Sequence, residues 1–241
     1  MPIESDDRES DSPYVARVWR GRASGVASMT SVATSTWELV FWDDEGIHHA
    51  AVRGPETIAT TAQISGDSES FGITFAHGTS MPHLPIARLV DDERESPFAT
   101  GNTFVLGGEE WPIPGFDDAE RLVHELTRAG VLVRDPMVDE VVRGGLARVG
   151  SRSVQRRVVA ATGLTQGAIR QIHRARHAAV LIGEGVAPLE VVHRLGYYDQ
   201  PHLARALRRF IGRTATQLKR HANDTDDAMS LLYKTDAPAS P

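Results

Sequence analysis

Residues 188–220 read PLEVVHRLGYYDQPHLARALRRFIGRTATQLKR, and the punctuation of this stretch decides the fold of the C-terminal half. Pro188 suits a first helical turn, where a missing N–H costs nothing, and Leu189, Val192 and Leu195 recur at three-residue spacing. The spacing predicts a two-turn helix. Gly196 can take the left-handed backbone that ends such a helix, and the Asp199 carboxylate can cap the amides of the next one. In that second helix Leu203, Leu207 and Phe210 fall on one face, leaving Gln200, His202, Arg205, Arg208 and Arg209 on the rest of the cylinder. Two helices joined by a tight turn, the second studded with long polar side chains, fit the major groove of duplex DNA. Arginine pairs with guanine O6 and N7 and glutamine with adenine N6 and N7, which makes Arg205 and Gln200 the strongest base readers. Arg208 and Arg209, further along, suit phosphates.

Upstream the same logic recurs. Asp135-Pro136 is a cap followed by a first-turn proline, and Met137, Val138, Val141 and Val142 form a short apolar face ending at Gly144-Gly145. Gly150 or Ser151 then starts a helix with Val154, Val158 and Ala161 inward, stopping near Gly163, and Arg152, Gln155 and Arg156 share its outward face. Between the two units, Gln166 to about Gly183 carries the apolar stripe Ile169, Ile172, Ala175, Ala179 and Ile182, with Arg170, Arg174, Arg176, His173 and His177 between. This is one bridging helix, long enough to set two readers in successive major-groove segments about 34 Å apart. Arg174 is assigned to phosphate. His173 and His177 have the spacing of a metal pair but no acidic or cysteine partner nearby, so no metal is expected.

Charge agrees once the chain is divided. Pro136 to His221 holds fifteen basic residues against five acidic, a net of +10, and the remaining 11 basic and 27 acidic residues give −16. The whole-chain value of −6 conceals a basic part joined to an acidic one.

The run from about Pro136 to Arg220 resembles the DNA-binding domain of AraC/XylS-type transcriptional regulators. The resemblance rests on VQRR before the first Thr-Gly, the RARHAAVLI bridge, LGYYDQPHLARALRRF, and Gly212 followed by a short helix. It implies two helix-turn-helix motifs bridged by a helix, with base-facing places at Arg152, Gln155 and Arg156 in the first reader and Gln200, Pro201, His202 and Arg205 in the second. It further implies an N-terminal β-rich, cupin-like domain that in relatives commonly senses a small molecule or mediates dimerisation.

The N-terminal half has its own pattern. Thr36–Trp42 and Ile47–Arg53 flank Asp43-Asp44-Glu45-Gly46, which reads as a hairpin, and Ser28–Ala33, Thr57–Ile64, Phe71–Phe75 and Thr103–Leu106 are further strand candidates. Six or so short strands predict a β-barrel or half-barrel. The expected fold class is therefore α+β, a barrel-like domain followed by an all-α tandem helix-turn-helix domain. Expected bounds are a disordered acidic N-terminus at 1–13, the sensing or dimerisation domain at 14–115, a linker helix at 116–134, the DNA-binding domain at 135–221 and a mobile tail at 222–241. The linker helix, from Asp117 or Asp118 to about Ala129, is either a dimerisation element or a helix packed on the barrel. Trp37, Trp42 and His83 are candidate ligand contacts.

Several classes fall away. With no cysteine the chain has no disulfide, thiolate zinc site or cysteine nucleophile. No compact His-x-His is present, and the adjacent His48 and His49 point to opposite faces of a strand. No signal peptide or run of eighteen apolar residues appears, so a cytoplasmic location is expected. The combined expectation is a transcription regulator with duplex DNA as partner, no cofactor, no enzymatic activity, and a small-molecule effector or homodimer as its control. The alternative is a ligand-independent structural DNA-binding protein.

Overall fold

The structure is a computed structural model and describes residues 4–23, 27–44, 46–64, 68–96, 100, 102–145 and 151–221. Glu45 of the expected turn, Gly150 as a helix cap and the tail from residue 222 lie outside the described residues.

The N-terminal half runs β1 (Glu4–Arg8), β2 (Val15–Ala23), β3 (Ala27–Ser31), β4 (Glu38–Asp44), β5 (Ile47–Arg53), β6 (Thr60–Ile64), β7 (Ser68–Phe75), β8 (Thr79–Ser80), a 3-10 turn (Ile86–Arg88), β9 (Glu93–Glu95), β10 (Thr103–Leu106), β11 (Glu109–Pro112), α1 (Ala119–Arg128) and β12 (Val133–Arg134). Six strands form one antiparallel sheet in the order β1-β2-β7-β4-β5-β9, and the pairs β3–β6, β8–β12 and β10–β11 are separate ribbons. The sheet is open. This corrects the expected barrel: closure requires β1 to pair with β9, and instead both are charged edge strands, ESDDR and ERE, of the kind that discourages further pairing. The cupin-like expectation finds no support in this topology.

The start of the chain is a second correction. Residues 4–8, expected to be disordered, pair along β2, where Arg20 meets Asp6 at 2.8 Å. Arg8 then grips α1, donating to both carboxylate oxygens of Glu120 at 2.6 and 2.8 Å and to Phe116 O. That bidentate pair holds the Glu120 carboxyl well down, at about 2. An acidic segment reads as disordered by composition, but here Asp6 is matched by Arg20 on the neighbouring strand and Arg8 by Glu120 on the helix.

One core packs against the sheet. Trp37 stacks on Phe75 with centroids 3.9 Å apart, Phe41 meets Phe104 edge-on at 5.0 Å, and Leu122, Val123 and Leu126 of α1 close the cluster. The apolar face of α1 is thereby spent on the strand half, which favours packing over dimerisation among the two roles open to it.

The C-terminal half is helical: α2 (Pro136–Val142), α3 (Ser151–Thr162), α4 (Gln166–Gly183), α5 (Pro188–Leu195), α6 (Gln200–Phe210) and α7 (Ala215–His221). Its core contains every inward residue expected of α3, α4 and α6. Of the three residues expected inward on α5, Leu189 is 54% exposed, whereas Val192 is buried and Leu195 packs against the core as expected, with Val191 buried beside them. A helix of 3.6 residues per turn puts Val191, Val192 and Leu195 on one side, whereas a strict three-residue spacing drifts off it.

The two cores meet. Val32 and Ala33, between β3 and β4, are fully buried in the helical core. Ala33 N–H donates to Phe210 O at 2.8 Å, and Ala59 N–H donates to Arg209 O at 2.7 Å. The strand half thus satisfies two carbonyls at the C-terminal end of α6 that no further turn of helix could satisfy. Arg176, expected among the polar residues between stripes, is fully buried and donates from Nη1 to Ala33 O at 2.9 Å. Its place four residues after Ile172 put it on the buried face all along. Ser35 Oγ lies 2.9 Å from His77 Nε2 and 2.7 Å from His173 Nε2, a polar knot on the same seam. At the end of α3, Gly163 (φ +73°) sits so close to Ala87 and Val90 that a Cβ there would stand 2.7 Å from a Val90 methyl.

Candidate nucleic-acid interface

The second reader forms as its turn chemistry dictates. Gly196 ends α5 in the left-handed region, φ 66° and ψ 36°, and Asp199, in extended backbone, caps α6 by accepting from His202 N at 2.7 Å. With Leu203, Leu207 and Phe210 turned into the core, Gln200, Pro201, Arg205, Arg208 and Arg209 are exposed and His202 is half-buried. The base-facing residues named for this reader therefore occupy the N-terminal end of α6, clear of the seam at its other end.

The first reader is built alike. Asp135 Oδ1 caps α2 by accepting from Met137 N at 3.2 Å, and its Oδ2 receives Arg157 Nη1 of α3 at 3.3 Å, locking the two helices together. Val154, Val158 and Ala161 face inward, and Arg152, Gln155 and Arg156 are exposed. Thr165 caps α4 by accepting from Ala168 N at 3.2 Å. The 18 residues of α4 span about 27 Å, the scale of the spacing between successive major-groove segments.

Arg174, assigned to phosphate by the sequence, also has partners within the domain. Its Nη1 donates to Gly196 O at 3.4 Å, and its guanidinium lies 4.5 Å from the centre of the Tyr197 ring. These contacts hold the turn of the second reader to α4. Burial pushes the Tyr197 hydroxyl pKa up, with Arg174 opposing. Spacing alone gives no sign of this, because an arginine facing a turn and one facing a phosphate occupy the same helical position. Arg208 is exposed, and Arg209 is exposed with its guanidinium 5.1 Å from the Phe210 ring centre.

The candidate ligand contacts scatter. Trp37 is a core residue whose Nε1–H donates to Thr79 O at 2.7 Å. Trp42 stacks on His49 with centroids 4.9 Å apart on the β4–β5 hairpin. Large aromatics in a small strand domain serve first as core and cross-strand partners. His83 alone lines a cavity, a space of about 240 Å3 bounded also by Leu39, Val52, Leu84, Phe104 and Leu106. Partial desolvation lowers its pKa. A larger, more polar cleft of about 740 Å3 runs between residues 8–14 and α1.

Residues 146–221 match a family model described as a helix-turn-helix domain. The C-terminal domain is an AraC-type helix-turn-helix domain. The matched span is 76 of the 241 residues, and the strand-rich N-terminal half lies outside it. No curated protein and no solved structure matches the chain. No helix among the described residues is long and apolar enough to cross a membrane.

Proposed function

We propose that this chain is a sequence-specific transcription regulator that reads duplex DNA with α3 and α6. Arg152, Gln155 and Arg156 meet bases in one major-groove segment and Gln200, Pro201, His202 and Arg205 in the next, while Arg208 and Arg209 neutralise phosphates. The observation that carries this reading is the second reader itself, a left-handed Gly196 and an Asp199 cap that leave Gln200 and Arg205 exposed at the start of a helix whose other face is buried. The +10 charge of the helical half supplies the phosphate attraction.

The strand half controls the readers. An effector of a few heavy atoms fits the cavity beside His83, where Leu39, Val52 and Phe104 face an apolar part and His83, Arg94, Glu95 and Ser96 offer partners to polar groups. A homodimer through this half is the other form of control. Selection of random duplexes by the full-length protein tests the core of the reading. Enrichment of one motif in two blocks about 10 base pairs apart supports it. Binding with a steep salt dependence and no enriched motif refutes it in favour of a structural DNA-binding protein.

A further inference from the structure

We propose that His202 reads its base as a fixed hydrogen-bond donor, its neutral ring locked as the Nε2–H tautomer by the backbone of the preceding turn. The inference rests on the proposed reading of α6 as a base-contacting helix.

The lock is a variant of the capping box. In the usual form the cap side chain accepts from the backbone N–H three residues on, and the side chain at that third position reaches back to accept from a backbone N–H at the helix start. Here Asp199 accepts from His202 N at 2.7 Å, and His202 reaches back so that its Nδ1 accepts from Tyr198 N–H at 3.4 Å. Side chains in the first turn of a helix lean toward its N-terminus, which brings the imidazole over that amide. The ring plane is fixed as well. It stands edge-on to Tyr197, centroids 5.2 Å apart and planes at 83°, and Tyr197 in turn lies against Arg174 of α4.

A neutral imidazole carries one N–H. With Nδ1 occupied as an acceptor the proton resides on Nε2, on the ring edge turned away from the Tyr198 amide. A glutamate at this position would finish the box with nothing left over, whereas a histidine finishes it and keeps a donor. In the major groove that donor matches guanine N7 and O6, adenine N7 or thymine O4, and mismatches the amino groups of cytosine and adenine. Guanine, with two adjacent acceptors, is the expected partner.

Two measurements on the full-length protein test this. In a long-range proton–nitrogen spectrum at alkaline pH, with His202 assigned by its loss in His202→Gln, a protonated Nε2 and an acceptor Nδ1 are expected. A protonated Nδ1, or shifts averaged over both tautomers, overturns the proposal without touching the DNA reading. The second measurement uses the duplex that wild type enriches from a random pool, with each purine replaced in turn by an analogue carrying C–H at the N7 position. One replacement in the block read by α6 is expected to weaken wild type about 2- to 10-fold, the scale of one hydrogen bond, and to leave His202→Glu unaffected. His202→Glu, which keeps the capping box but has no donor to offer, is expected to lose the base preference at that position. If no duplex is enriched, the reading of α6 fails. If one is enriched but no replacement depends on His202, this inference alone fails.

Discussion

Val32→Ala probes whether the two halves fold as one. Val32 lies outside the helical sequence, yet it is fully buried in the helical core. Removing two buried methyl groups costs about 1.6 kcal/mol of transfer free energy, and the cavity left in a rigid core raises this to about 2–3 kcal/mol. With a urea dependence of roughly 1–3 kcal/mol per M, the unfolding midpoint should fall by about 1 M. The chain offers separate probes for its halves. All four tryptophans, Trp19, Trp37, Trp42 and Trp111, belong to the strand half, and six of the seven α-helices described belong to the other. Urea titration followed by far-UV circular dichroism should show the helical transition moving down by that amount. A midpoint that falls by fluorescence alone, with the helical signal unmoved, would refute the packing of Val32 into the helical core.

Further outcomes follow from the same contacts. A chain beginning at residue 134 loses Val32 and the two donors to Phe210 O and Arg209 O, about 3–6 kcal/mol together, so its helical signal should melt well below that of the full chain in calorimetry. Asp199→Ala removes the cap of α6 and should cost about 0.5–2 kcal/mol, read as a lower urea midpoint and as weaker retention on DNA. Burial lifts the Glu56 pKa to about 6, with Glu38 and Asp91 adding and Ser31 and Arg53 opposing. Between pH 4.5 and 6 the folded chain then holds a proton that the unfolded chain has released, so stability falls as pH rises through that window. Glu56→Gln should flatten that slope and raise Tm at neutral pH in thermal melts from acid to neutral buffer. Arg205→Ala should flatten preference at one or two base pairs, whereas Arg208→Ala should weaken all duplexes alike and reduce the salt slope by about 1; the reverse outcome in filter binding exchanges their roles.

How far the sequence carried depends on how local the determinants are. Pro188, Gly196 and Asp199 each act through their own backbone, so the second reader was legible residue by residue, and the bridging helix was placed at Gln166–Gly183 from its stripe. In the strand half pairing is not local. The number of short strands fits an open sheet as well as a barrel, and β2, a central strand, was missed because its alternation breaks at the bulge between Val15 and Arg17. The order of Glu4–Arg8 depends on arginines at 20 and on a helix at 120, neither visible from an acidic composition. Exposure of Arg152, Gln155, Arg156, Gln200 and Arg205 follows from helical phase and is legible in the sequence, whereas the contact of Arg174 with the Gly196 carbonyl is not, because its partner lies in another element.

The seam between the halves was hidden for the same reason, and its placement has a consequence for control. Both reading helices are held at their C-terminal ends by the strand half: α6 through Phe210 O and Arg209 O, and α3 through the contact of Gly163 with Ala87 and Val90. Their N-terminal ends, with Arg152 on one and Gln200 on the other, are left exposed. A helix moves largely as a rigid body, so a shift of the ribbon against the C-terminal end of α6 is carried along its 11 residues, about 16 Å, to the side chains proposed to meet bases. On the proposed function, the strand half would need no direct contact with DNA to alter reading. Movement of β3 or β6 against α6, or of the turn at Ile86–Arg88 against α3, would suffice, and the cavity beside His83 adjoins β9 and the chain leading into that turn.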